Sequence, residues 1–480
     1  MSTRAPLILW FRQDLRLADN RALSAAVASG QPIVAAFILH DAGARHARPG
    51  EASRWWLHHS LGSLSESLER LGGSLVLRRG QTPDVLRELI RETGASALYF
   101  TRCYEPHAVA IEQSIHQNLG RDITVRRFGG NLLFEPEAIR TGADRPYKVF
   151  TPFWKACLAA GQPSAAVAAP DRIDFLHQSP GGDALPAWKL LPEQPNWAEQ
   201  FTPHWQPGEA GAQARLDRFV QHQVADYQTT RDRPDMEATS RLSPHLHFGE
   251  LSPRQIWQAV KAAAATRRKS EAGGEAFLRE IGWREFAYHV LFHWPELPDR
   301  PLRREFARFP WRPDDELTKA WQRGRTGYPI VDAGMRELWA TGWMHNRVRM
   351  ITASFLVKDL LIPWQVGEAW FWDTLVDADL ANNSAGWQWV AGCGTDAAPF
   401  FRIFNPVRQG ERFDPSGEYV RKWVPELAGL PDAYIHTPWN APDEILAAAG
   451  IELGSEYPCP VIDHGFARDR ALEALASVKK

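Results

Sequence analysis

Short apolar runs alternate with segments of helical spacing along the first third of the chain. Residues 7–11 and 32–39 are nearly unbroken apolar runs of branched and small side chains, the pattern of strands buried on both faces. Residues 53–71 repeat apolar positions at helical spacing and end at Gly72-Gly73, a C-terminal stop. A third strand is predicted at 74–77. A helix at 82–92 follows, capped by Thr82 with Pro83 at its first position. A strand at 97–100, a helix at 105–119 and a fifth strand at 123–125 complete the pattern. Strands that alternate with helices make a parallel sheet covered on both faces.

The periodicity then lapses. Residues 160–210 are rich in Pro, Ala, Gly and Gln, a composition of connections rather than regular elements. Beyond residue 211 the spacing is helical almost throughout, with helices predicted at 213–225, 253–266, 274–294, 330–341, 344–361 and 367–377. Arg267-Arg268-Lys269 reads as a solvated basic loop, and 466–480 as a polar terminal helix with a basic end. The expected organisation has three parts. An α/β domain with a five-stranded, Rossmann-like parallel sheet spans 1–135, a linker spans 136–210, and an all-α domain spans 211–480. No Gly-x-Gly-x-x-Gly follows the first strand, so the usual dinucleotide fingerprint is missing there.

Composition narrows the class. A chain of 480 residues is too long for one core. Its 44% hydrophobic and 23% charged content is that of a soluble globular protein. With a formal net charge of −2, any nucleic-acid surface must be a local patch. Cys103, Cys157, Cys393 and Cys459 lie far apart without metal-ligand spacing, as reduced thiols of a cytoplasmic protein do. No metal site is expected, and no apolar run is long enough to span a bilayer. The 21 tryptophans are unusual, and they crowd the chain after residue 280.

Four stretches carry candidate chemistry. Residues 377–389 hold two carboxylates, two amides and two tryptophans. In a helix, Asp379, Asn383 and Trp387 recur on one face and present hydrogen-bonding groups to a polar heteroaromatic ring. The alternative is a helix end with an Asn-Ser-Ala-Gly turn and two core tryptophans. Thr239, Ser240, Arg241, Leu242 and Ser243 gather hydroxyls, a guanidinium and backbone N–H groups before a helix start. That suits a phosphate, or a plain N-cap. Glu280, Trp283 and Arg284 fall within one turn and can face one cavity, the carboxylate for a base edge and the indole for stacking. In 343–350, Asn346 and Met350 share a face while Arg347 and Arg349 point elsewhere. Arginines on so apolar a helix need anions. Asp377 or Asp379 would serve one, a phosphate another.

Taken together, these segments resemble the DNA photolyases of the photolyase/cryptochrome flavoprotein family. Residues 10–20, 239–243, 246–253, 283–286, 327–332, 343–350, 377–389 and 401–406 match that family's motifs in order. The resemblance implies a class I cyclobutane pyrimidine dimer photolyase, a monomer acting on UV-damaged DNA. Its N-terminal domain would hold an antenna, and its helical domain FAD in a folded conformation. Tyr227 and residues 239–243 would meet the FAD phosphates. Phe277, Glu280 and Arg284 would border the cofactor. Asp377, paired to Arg349, and Asp379 would bind the ribose and flavin edge, with Asn383 at flavin N5. Trp387, Trp364 and Trp311 match the tryptophan chain that photoreduces the flavin. In the family's reaction, excited reduced FAD lends an electron to a flipped-out dimer. Glu280 would hydrogen-bond the dimer, Trp283 and Trp389 would pack on it, Asn346 would contact it and Met350 would shape the wall. Arg231, Arg347, Arg402 and Gln409 would touch the DNA backbone. His345 is expected to be structural. Glu105 and His46 are the antenna candidates, with methenyltetrahydrofolate ahead of a deazaflavin, a flavin or no antenna. The family's Cys-Lys pair before Arg300-Pro301 is replaced here, with Leu297-Pro298 near that point. A cryptochrome-type blue-light photoreceptor is the alternative, against which Asn383 and Met350 argue. A flavin-containing DNA-binding protein without catalysis is a second, against which Glu280 and Trp283 argue.

Overall fold

The computed structural model describes residues 4–40, 43, 45–267, 269–396 and 401–478; Arg268, Lys479 and Lys480, part of the predicted basic ends, lie outside them. Five strands, β1 (Leu7–Phe11), β2 (Ile33–Leu39), β3 (Leu75–Arg79), β4 (Ala97–Thr101) and β5 (Thr124–Phe128), form one sheet in the order β3-β2-β1-β4-β5. All pairs are parallel, with Leu7 opposite Ile33 on one side and Ala97 on the other. β1 and β2 are buried along their whole length, whereas the edge strand β5 is largely exposed. That explains the apolar runs of the first two and the polar Thr-Val-Arg-Arg-Phe of the last.

The periodicity missed the helix Arg21–Ala28 that carries β1 over to β2. It is short, and its start is fixed by Asn20, whose side chain accepts from Leu23 N at 3.0 Å. Thr82 is not the cap of its helix. Gln81 holds that position, and the Thr82 hydroxyl lies 3.2 Å from His40 Nδ1. Gly72, at φ +85°, closes the helix Glu51–Arg70, and Gly73 N donates to Leu68 O at 3.0 Å.

The connecting segment is built in rather than loose. The predicted linker contains a helix, Phe150–Ala159, ahead of its proline-rich stretch. Its Trp188, Phe201 and Trp205 pack in one core with β1, β2, Trp343 and Val376. Arg16, just after β1, is buried. It donates to the carbonyls of Gly249 (2.7 Å), Asp19 (3.0 Å) and Gly130 (3.3 Å), tying the sheet region to the helical region.

The remainder is helical. Pro253–Thr266 opens on a capping box of Ser252 and Gln255. The predicted 344–361 helix begins at Asn346, with His345 as its cap, and loosens into a π-turn at Phe355–Asp359. Short helices such as Ser243–His247 and Asp443–Ala449 escape a periodicity reading because they hold under two turns. Four helices frame the site: Ser270–His293, Asn346–Ser354, Trp364–Thr374 and Leu380–Ala391. Gly367 lets two of them close, since a Cβ there would stand 2.1 Å from the Trp387 ring.

Candidate functional site

The four helices enclose a cavity of about 430 Å³. Residues 380–391 form one helix, so the Asn-Ser-Ala-Gly segment is not a turn. Asp379 caps it, accepting from Asn382 N at 2.9 Å and from Asn382 Nδ2 at 2.7 Å. Asp379 is buried, and it also accepts from Tyr288 Oη and lies 3.4 Å from His247 Nδ1. Burial alone would raise its pKa. The hydrogen bond and charge of His247, with Arg284 and Tyr288 behind them, prevail and hold it well below the usual carboxylate range. Asp379 is therefore a fixed anion on the cavity wall.

Asp377 accepts from Arg349 Nη2 at 2.8 and 3.1 Å, and Arg349 Nε donates to Met344 O at 2.7 Å. This pair fixes a second carboxylate beside the first. Asn383 donates Nδ2 to Glu368 O at 3.0 Å, which leaves its Oδ1 as the acceptor facing the cavity. Glu280, Trp283, Asn346, Met350, Trp387 and Trp389 line the same space. Glu280 Oε1 is 2.5 Å from Arg231 Nη1, both about a quarter exposed.

Three expectations change. Arg284 turns away from Glu280 and Trp283: it donates to Asn131 O at 2.8 Å and lies over the Tyr288 ring. Its guanidinium is taken up by those two partners, and Arg284 is not among the residues that line the cavity. Conversely, Arg347 and Arg349 do line it with Asn346 and Met350, because the cavity wraps the helix's first turns. Arg347 pairs with Asp232 at 2.9 Å and lies over Phe413, an anion that the sequence did not single out.

Other predicted residues lie outside the cavity wall. Tyr227 and Phe277 pack edge-on, with ring centroids 5.2 Å apart, in the adjoining core. Arg241 adopts φ +50° and stacks on Trp343, and Ser240 Oγ accepts from Leu242 N at 3.4 Å ahead of the helix Ser243–His247; Thr239 is half-buried in the same turn. Arg402 is exposed beside Trp389, and Gln409 Oε1 is buried without a partner among the described residues.

Trp387 packs on Phe371 and Trp321 rather than ring-to-ring on Trp364. It nevertheless abuts Gly367, one turn beyond Trp364. Arg312 N donates to Leu361 O at 2.7 Å, which brings the Trp311 segment against the loop before Trp364. Indoles that do stack lie elsewhere, Trp370 on Trp339 at 6.0 Å and Trp339 on Trp197 at 4.9 Å.

The two antenna candidates are not brought together. Glu105 accepts from Gln13 Nε2 at 2.7 Å near the carboxyl end of β1, while His46 packs edge-on against Trp372 and lies 3.9 Å from Glu368. His345 is buried. It accepts from Arg347 N at 3.1 Å, and burial pushes its pKa down to about 4. It is a neutral cap.

Residues 7–171 match the family described as DNA photolyase, and residues 277–477 match the FAD binding domain of DNA photolyase. The chain is 52% identical to the deoxyribodipyrimidine photo-lyase of Agrobacterium fabrum, over 99% of this chain and 98% of that protein. The chain belongs to the photolyase/cryptochrome family. A crystal structure of a class III photolyase from Agrobacterium tumefaciens superposes with a TM-score of 0.96 at 51% identity, covering 99% of this chain and 98% of that one. Cryptochrome-1 of Arabidopsis thaliana is 42% identical over 98% of this chain and 70% of its own length. The class I assignment implied by the motifs is not supported, since the similar solved structures include one of a class III photolyase.

As expected of a photolyase/cryptochrome protein, the cavity suits FAD. One wall carries two fixed carboxylates and an amide acceptor for ring N–H groups, and the rest mixes indole, thioether and alanine surface with the polar side chains of Glu280, Asn346 and three arginines. No helix among the described residues is long and apolar enough to cross a membrane, and none of their His, Cys, Asp and Glu side chains form a metal-holding group.

Sequence reasoning missed Asp232, Tyr288 and His247. Tyr288 falls at helical spacing from Glu280 and Arg284, a usable signal. Asp232 offered none beyond its adjacency to Arg231.

Proposed function

We propose that the protein repairs cyclobutane pyrimidine dimers in DNA under light, with FAD in the cavity framed by Asp377, Asp379 and Asn383. The observation that carries this reading is one cavity lined both by those polar groups and by Glu280, Trp283, Asn346, Met350 and Trp389. When bound, FAD supplies light absorption and the electron lent to the dimer. Arg349 keeps Asp377 in place, and Tyr288, His247 and Asn382 keep Asp379 in place. Asn383 Oδ1 would accept a hydrogen bond from a ring N–H of the cofactor.

On the substrate side, Trp283 and Trp389 offer apolar surface that replaces the stacking a flipped nucleotide loses. Glu280 offers a hydrogen bond to the base edge, and it becomes free for this when Arg231 exchanges to a phosphate. Asn346, exposed at the first position of its helix, presents an amide to the same lesion. Arg402 and Arg347 add salt-sensitive backbone contacts.

The test is light-dependent recovery of thymine absorbance from a dimer-bearing oligonucleotide, with photoreduced protein and a dark control. Recovery in light only is expected, slowed about tenfold or more in Glu280→Ala, the loss of a hydrogen bond worth at least about 1.4 kcal/mol at the developing charge. No recovery with reduced FAD bound would overturn the reading. A blue-light photoreceptor then takes its place, the reading favoured by 42% identity to a plant cryptochrome.

A further inference from the structure

The helix Phe150–Ala159, from the connecting segment, packs behind the Trp283 indole of the cavity wall. Phe150 is fully buried, and its ring stacks face to face on Trp283, centroids 3.7 Å apart and planes 10° from parallel. The rest of the Trp283 indole lines the cavity. Phe150 is itself clamped. Phe286 packs edge-on at 5.9 Å, and the Arg279 guanidinium sits 4.9 Å from its ring. Gly282 lets this helix lie flush, because a Cβ there would stand 2.7 Å from the Trp154 ring.

We propose that Phe150 is a positioning residue for substrate, setting the plane of the Trp283 shelf on which a flipped pyrimidine dimer packs. This rests on the repair reading of Trp283 above. A shelf locked before binding spares the ordering cost of an unbacked indole, and a stacked aromatic pair is worth up to about tenfold in affinity. The connecting helix is thus part of the substrate site, although Phe150 need not touch substrate.

The experiment measures binding of the FAD-loaded protein to a thymine-dimer oligonucleotide and to its undamaged counterpart. Phe150→Leu is expected to weaken dimer binding up to about tenfold, with undamaged binding, FAD content and repair rate at saturating DNA unchanged. Phe150→Tyr restores the ring and the affinity. In a Trp283→Ala background, Phe150→Leu has no further effect. Should Phe150→Leu not fold, Phe150→Met, whose flexible side chain fills the space without a ring, tests the same loss, and the same dimer-specific weakening is expected. Normal dimer binding by both variants, while Trp283→Ala loses it, overturns the proposal. So does a loss that persists undiminished in the Trp283→Ala background, which is a general packing effect. Normal dimer binding by Trp283→Ala itself overturns the underlying role of Trp283 instead.

Discussion

Glu285, one position beyond Arg284, shows how a side chain next to the site is governed by burial. It is fully buried, accepts from Leu133 N at 2.9 Å and Phe134 N at 3.1 Å, and has Arg284 at 3.5 Å. Desolvation outweighs those partners and pushes its pKa up to about 7, from an ordinary 4.5. Between those values the folded chain holds a proton that the unfolded chain has released. Stability therefore falls as pH rises through this window and levels off above it. The full effect is up to about 3 kcal/mol. Glu285→Gln removes it, so the stability of the native protein relative to the variant should decline from about pH 5 to pH 8 in paired thermal melts. A pH-independent difference would refute the assignment. At this scale the sequence shows which groups can ionise. Tyr288 and His247 around Asp379, and Leu133 and Phe134 around Glu285, come from distant segments that no local pattern announces.

Between elements, the decisive contact is the crossing of Trp364–Thr374 with Leu380–Ala391. Alanine for glycine inside a helix ordinarily stabilises by about 1 kcal/mol. At Gly367 the sign reverses, since the added carbon would lie 2.1 Å from the Trp387 ring, itself buried against Phe371 and Trp321. Overpacking of this kind costs about 1–3 kcal/mol. Gly367→Ala should lower the melting temperature by displacing Trp387, which paired thermal melts report. Unchanged melting would mean that the two helices separate freely. The helix over 367–377 was readable from its spacing, and the Asp379, Asn383, Trp387 face from residue types four apart. That Gly367 is the contact point was not readable, because any helical glycine looks alike in sequence.

For the whole molecule, sheet and helical region share cores. Trp205, Phe248, Trp343 and Val376 pack with Leu7, Leu9 and Phe11, and Arg16 spans the join through three carbonyls. The Asp19 carboxylate keeps Arg254 at 2.9 Å when Arg16 is lost, but the buried carbonyls of Gly249, Asp19 and Gly130 lose their donor. Arg16→Leu should cost about 3–5 kcal/mol and turn one calorimetric unfolding transition into two. A single unshifted transition would show that Arg16 does not couple the regions.

The sequence by itself determined the alternation that makes a parallel sheet, the helical remainder, and the family, because period, turn residues and motif order are local properties of the chain. It also named most of the cavity wall, since Glu280 with Trp283, Asn346 with Met350, and Asp379 with Asn383 sit at helical spacing. Only the tertiary structure decided that Arg284 leaves the cavity, that Arg231 and Glu280 hold each other, that Arg347 has Asp232, and that Phe150 backs Trp283. Which groups meet across a core depends on how separate helices pack, and that is set by volume and burial summed over the whole chain rather than by spacing along it.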